Sequence, residues 1–236
     1  MRRYALAVLG MGVLVAVLAT AVATAAEGEL STGVRFGPKL LSIDQHWTGP
    51  AHPPAERELQ IELDRGLKIQ TKGLPACHLG LQDGVSVEEA CAGTRVGSGE
   101  ETVQVAFAES APIKVPAQVR IFNGGEREGA ITLYVYGRFS VPISGALLTK
   151  VVITRIHNGR LGWRADAQFP QITGGYGSIV DLDLDIGRNY TYEGRKASVF
   201  SAGCTDGNLE AHLQVGFEDG TSQESTLTRP CLRWQS

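Results

Sequence analysis

Val180-Asp181-Leu182-Asp183-Leu184-Asp185-Ile186 alternates apolar and acidic residues without a break. Successive side chains leave a strand on opposite faces, so this period of two marks a half-buried strand. The same period recurs outward from it. Leu59, Ile61 and Leu63 alternate with Glu58, Gln60, Glu62 and Asp64. Val103, Val105 and Phe107 alternate with Thr102, Gln104 and Ala106, and Ile131, Leu133 and Val135 begin another run. Leu209 to Phe217 is a further one.

About a dozen such runs, spaced as a sandwich or barrel requires, predict an all-β fold. We expect a two-sheet β-sandwich, jelly-roll-like, with one short helix. The turns agree. His157-Asn158-Gly159-Arg160 separates two runs, and Asn-Gly favours the centre of a two-residue hairpin. Asn123-Gly124-Gly125 and Glu218-Asp219-Gly220 read as turns too. The short helix is expected where Ser86-Val87-Glu88-Glu89 has the spacing of a capping box.

The first 26 residues differ from the rest. Arg2 and Arg3 precede an uncharged stretch, Ala5 to Ala23, which ends on Ala23-Thr24-Ala25-Ala26. A basic start, an apolar run and a small-residue exit form an export signal. Residues 1–26 are therefore expected to be a signal peptide and the protein to be secreted. An uncleaved anchor is the rival reading, because the apolar run approaches the length of a spanning helix. Residues 27–37 are expected to be a flexible N-terminal arm, and residues 38–236 a single domain.

Without Arg2 and Arg3, the 22 basic residues fall to 20 against 25 acidic ones. That balance disfavours nucleic acid as a partner, since phosphate binding needs clustered Lys and Arg. No second apolar run is long enough to span a bilayer after signal cleavage. The four cysteines, Cys77, Cys91, Cys204 and Cys231, all follow the signal, and an even count in an exported chain implies two disulfides. Of the three pairings, Cys77–Cys91 with Cys204–Cys231 is favoured, because each pair brackets a nearby turn-rich segment.

Several blocks carry a resemblance. They are Leu74-Pro75-Ala76-Cys77, Cys91-Ala92-Gly93-Thr94-Arg95-Val96-Gly97-Ser98-Gly99, Gly174-Gly175-Tyr176-Gly177-Ser178, Ser201-Ala202-Gly203-Cys204-Thr205-Asp206-Gly207 and Phe217-Glu218-Asp219-Gly220. Together they resemble an uncharacterised family of secreted, disulfide-containing proteins of high-GC actinobacteria. The resemblance implies export and paired cysteines, and brings no catalytic residue with it.

The chemistry on offer is sparse. Arg155, His157, Arg160 and Arg164 cluster at the 158–159 hairpin and form a candidate anion-binding site, for an acidic glycan or lipid head group. The competing reading is a solvated charged face. In that hairpin Thr154 is expected to pair with Trp163 and Arg155 with Gly162. Asp181, Asp183 and Asp185 could suggest calcium, but the glycine and the twelfth residue of a calcium loop are misplaced. The five His show no zinc spacing, and no Gly-x-Ser-x-Gly elbow occurs. We expect no cofactor, no metal and no identifiable catalytic residue. The reading is a secreted or envelope-associated, non-catalytic binding or structural protein, with a cell-envelope glycan or another exported protein as partner. The alternative is a polysaccharide-active hydrolase on a β-sandwich.

Overall fold

A computed structural model describes residues 28–49, 52–79, 86–107, 109–142, 144–204 and 206–231. Residues 1–26, expected from the sequence to be a signal peptide or an uncleaved anchor, lie outside these residues. The chain is nearly all β. In order it forms β1 (Glu29–Phe36), β2 (Leu41–Thr48), β3 (Glu56–Asp64), β4 (Leu67–Ile69), α1 (Val87–Ala90), β5 (Arg95–Phe107), β6 (Ser110–Arg127), β7 (Ala130–Phe139) and β8 (Gly145–Asn158). There follow β9 (Leu161–Gln168), β10 (Gly177–Ile186), β11 (Asn189–Tyr192), β12 (Arg195–Ser198), β13 (Phe200–Ala202), β14 (Asn208–Phe217) and β15 (Ser222–Pro230).

Eleven strands form one sheet, in the order β1-β2-β10-β5-β6-β7-β8-β9-β3-β14-β15. Every neighbouring pair is antiparallel. The sheet curls until β1 comes beside β15. Thr32 and Ser225 hydroxyls meet at 2.7 Å, the Gln223 amide donates to the Leu30 carbonyl, and Arg229 Nε donates to the Val34 carbonyl at 3.2 Å. The expected two-sheet sandwich is thus replaced by a nearly closed barrel. The reason is long-range pairing. β10 inserts between β2 and β5, and β3 between β9 and β14, so one continuous sheet forms where two facing sheets were expected.

Closure has a geometric consequence. Eleven antiparallel strands place the first and last in the same direction, so β1 and β15 run parallel across the seam. Side chains bridge that seam, and no ladder joins these two strands within the sheet.

The interior is apolar. Ile61, Leu63, Val103, Val119, Ile121, Leu133, Ile153, Leu182 and Leu213 are all buried in one cluster. β4 and β13 pair as a separate ribbon whose Leu67, Ile69 and Phe200 join that cluster. Trp163 belongs to it too, and donates its indole N–H to the Leu67 carbonyl at 2.8 Å. The outer face is polar, with Ser98 and Glu100 exposed on β5.

Residues 27–37, read from sequence as a flexible arm, contain strand β1. Leu30 and Val34 are buried there, and pairing with β2 satisfies the backbone. Asn123-Gly124-Gly125 is not a turn either. It is a bulge inside β6, where the Asn123 side chain accepts from Gly125 N at 2.9 Å and donates to the Pro75 carbonyl. The 158–159 hairpin slips by one residue. Asn158 pairs with Leu161, Thr154 with Arg164 and Arg155 with Trp163. Gly159, at φ 58°, takes the first central turn position that the sequence had assigned to Asn158. Glu218-Asp219-Gly220 does turn the chain, between β14 and β15.

Both favoured disulfides are present, Cys77–Cys91 and Cys204–Cys231. The capping box forms as read: Ser86 Oγ accepts from Glu89 N, and the Glu89 carboxylate accepts from Ser86 N. Glu88 then ion-pairs with Arg120 and Arg138, which holds α1 on the outside of β6 and β7. The first disulfide packs there with Phe122 and Tyr136, outside the barrel.

Candidate functional site

The sequence-chosen basic cluster is dispersed. Arg155 lies 3.6 Å over the Trp163 ring. Arg164 contacts Glu62 at 2.6 Å. Arg160 bonds Asp206 at 2.6 Å, Asp64 at 3.2 Å and the Asn208 carbonyl at 2.8 Å. His157 is exposed. The one-residue slip separates Arg155 from its expected neighbours, and nearby carboxylates engage Arg160 and Arg164. The carboxylates of β10 are similarly matched across strands: Asp181 with His46, Asp183 with Arg35 at 3.6 Å, and Asp185 with Ser42 at 2.5 Å. No group of three or more His, Cys, Asp or Glu fit to hold a metal occurs among the described residues.

What the sequence reading missed lies inside. A cavity of about 100 Å³ runs within the barrel, lined by Leu41, Leu59, Leu133, Leu147, Val151 and Phe200 among others. Two polar side chains, Glu101 and Thr149, stand among the apolar residues of its wall. Such a volume exceeds what one water needs and approaches that of apolar protein cavities known to accept a benzene-sized guest.

Glu101 arrives there by register. Gln45, Leu182, Glu101, Ala117 and Phe139 oppose one another in a single row across β2, β10, β5, β6 and β7. Directly opposed residues share a face, so Leu182 inside places Gln45 and Glu101 inside. The Glu101 carboxyl reaches past β6 and lies over Gly137 of β7, a position that a Cβ would occupy. Its Oε1 has no partner, and the residue is 7 % exposed.

A second buried acid stands nearby. Glu56 opens β3, opposite Phe217, and its Oε1 accepts from the Gln45 amide. Because β2 and β3 are not neighbours in the wall, this bond crosses the interior. Glu56 Oε2 has no partner. Burial raises the Glu56 carboxyl to about 8, with the Glu101 charge adding to it and the Gln45 bond opposing it. Burial alone raises Glu101 to about 7.

The signal was present in the alternation. Carrying the phase of Val105 and Val103 back two residues puts Glu101 on the core face. Leu41, Ile43 and Gln45 extend the same way on β2.

Ser178 and His52 form the nearest approach to a nucleophile and base. Ser178 Oγ donates to the Pro53 carbonyl at 2.8 Å and lies 3.3 Å from His52 Nε2. His52 Nδ1 has no orienting partner, and Ser178 is 1 % exposed. The pair ties the β2–β3 connection to β10, and lacks the third group and the access that acyl transfer requires.

No family model, curated protein or solved structure matches this chain.

Proposed function

We propose that this is an exported, non-catalytic binding protein that carries a small apolar ligand inside its barrel. The cavity carries this reading: it is walled almost wholly by aliphatic side chains, with few polar groups to orient a guest. The polar outer face and apolar lumen of the strands suit a barrel in water that holds its guest within, the reverse of a lipid-facing wall. Export is supported by the basic-apolar-small pattern of residues 1–26, and by two disulfides that suit an oxidising compartment. Kinship with the secreted actinobacterial proteins belongs to the same proposal.

The hydrolase alternative draws less support. A glycosidase needs two carboxylates flanking a bond in a reachable cleft. Glu56 and Glu101 are each 7 % exposed, and Glu101 faces an aliphatic cavity that a sugar chain would have to dehydrate to enter.

The test is thermal unfolding of the intact, disulfide-bonded protein with 1-hexanol. Mass action should raise Tm with the logarithm of the ligand excess over Kd. Ala165→Leu, which narrows the cavity from β9, should abolish that rise. No rise with wild type, or an equal rise with the variant, would remove the lumen as the binding site.

A further inference from the structure

We infer that the ligand carries a primary amine, and that this amine seats on Glu101 with its apolar body along the lumen. The inference rests on reading the barrel as a carrier and specifies what it carries.

Glu101 has a buried, unpartnered oxygen in a cavity whose remaining lining is apolar apart from Thr149. An unsatisfied buried acceptor is costly, so a guest that brings N–H donors there gains the hydrogen bond and relieves that cost. The fold also keeps this acid in place deliberately. Ala117 and Gly137, both small, leave the path across β6 and β7 open for the carboxyl.

The sign of the head group follows from what surrounds Glu101. Glu56 is a second buried acid without a cation partner, held through Gln45 of the same row of the wall. No Lys, Arg or His lines the cavity among the described residues. A carboxylate head group would meet Glu101 and no cation, and like charges at short range in a low dielectric repel strongly. A neutral alcohol could bond to Glu101 but would leave any charge on it uncompensated. An ammonium supplies three donors and the opposite charge together. The cavity volume limits the apolar part to a short chain or a single ring.

Calorimetry on the intact protein at pH 7.5 tests this with three probes of equal chain length: hexylamine, 1-hexanol and hexanoate. The amine should bind about tenfold or more tightly than the alcohol, with hexanoate weakest. Glu101→Gln, which keeps shape and volume, should cost the amine about tenfold while leaving 1-hexanol within about twofold. Glu100→Gln, its outward-facing neighbour, should change neither, which separates the lumen from general surface attraction. Equal amine and alcohol affinity, hexanoate binding as tightly as the amine, or an E101Q variant with undiminished amine affinity would overturn the amine while leaving the carrier reading intact. Discrimination among the three probes by the wild type decides the matter even where E101Q folds poorly. Failure of all three probes to bind would overturn the carrier reading itself.

Discussion

Glu101 of β5 and Gly137 of β7 share one space: the carboxyl of the first lies where any side chain at the second would begin. The two strands are separated by β6, so this is packing across the wall and not a cross-strand pair. Gly137→Ala should therefore push the carboxyl from its seat and cost about 1–3 kcal/mol, as overpacking does. Chemical denaturation measures it. In a Glu101→Ala background the same substitution should cost much less, and an unchanged cost would show that the two do not compete for one site.

Two acids buried without an ion-pair partner, Glu56 and Glu101, make stability depend on pH. Their folded values, about 7 for Glu101 and about 8 for Glu56, exceed the 4.5 of an ordinary Glu. Between those limits the native state holds protons that the unfolded chain releases, so stability falls as pH rises. Below the ordinary value both states are protonated and the dependence ends. Glu56 interacts with Glu101 through its charge, Thr149 shares the cavity with it, and no Lys, Arg or His lines that cavity among the described residues. Tm should be higher at pH 5 than at pH 8, with Glu101 contributing on the order of 3 kcal/mol across the window. Glu101→Gln should flatten the slope. A wild-type Tm that climbs from pH 5 to pH 8 would contradict this.

Asp64 anchors the tip of the β8–β9 hairpin to β14. It is buried, accepts from Gly66 N at 2.8 Å and Glu210 N at 3.2 Å, and meets the Arg160 guanidinium at 3.2 Å. Asp64→Ala strands those donors and should destabilise by about 2–3 kcal/mol. Arg155→Ala removes a cation over the Trp163 face and should cost about 1 kcal/mol or less. Equal losses in denaturant would show that the Asp64 network contributes nothing special.

The Cys77–Cys91 bridge closes 14 residues and pins α1 to the outside of β6 and β7. Replacing both cysteines by Ser should cost about 3 kcal/mol through the freed unfolded chain. The barrel core lies elsewhere, so its near-ultraviolet signature from Trp163 should persist at low temperature. Loss of that signature would mean that the bridge organises the barrel itself.

Local features were legible in the sequence. The capping box at Ser86, the Asp219-Gly220 turn and both disulfides need only nearby residues, and the strands needed only their period of two. Closure was not legible, because it depends on β10 pairing with both β2 and β5 and on β3 pairing with both β9 and β14. Alternation says which face of a strand is inside and nothing about its neighbours. The hairpin at 158–161 was misread by one residue because Gly159, the residue freest to adopt φ 58°, outcompeted Asn158 for the first turn position. Glu101 was harder to place, because an acid ordinarily marks the outer face of a strand even where it continues the apolar phase of Val103 and Val105.

An odd count of antiparallel strands leaves the wall with a join unlike its others. Parting β1 from β15 breaks three side-chain bonds, where parting any other neighbouring strands breaks a run of main-chain ones. The cuff is therefore fastened least firmly along one line, and parting it there would reach the lumen without either end of the tube being dismantled.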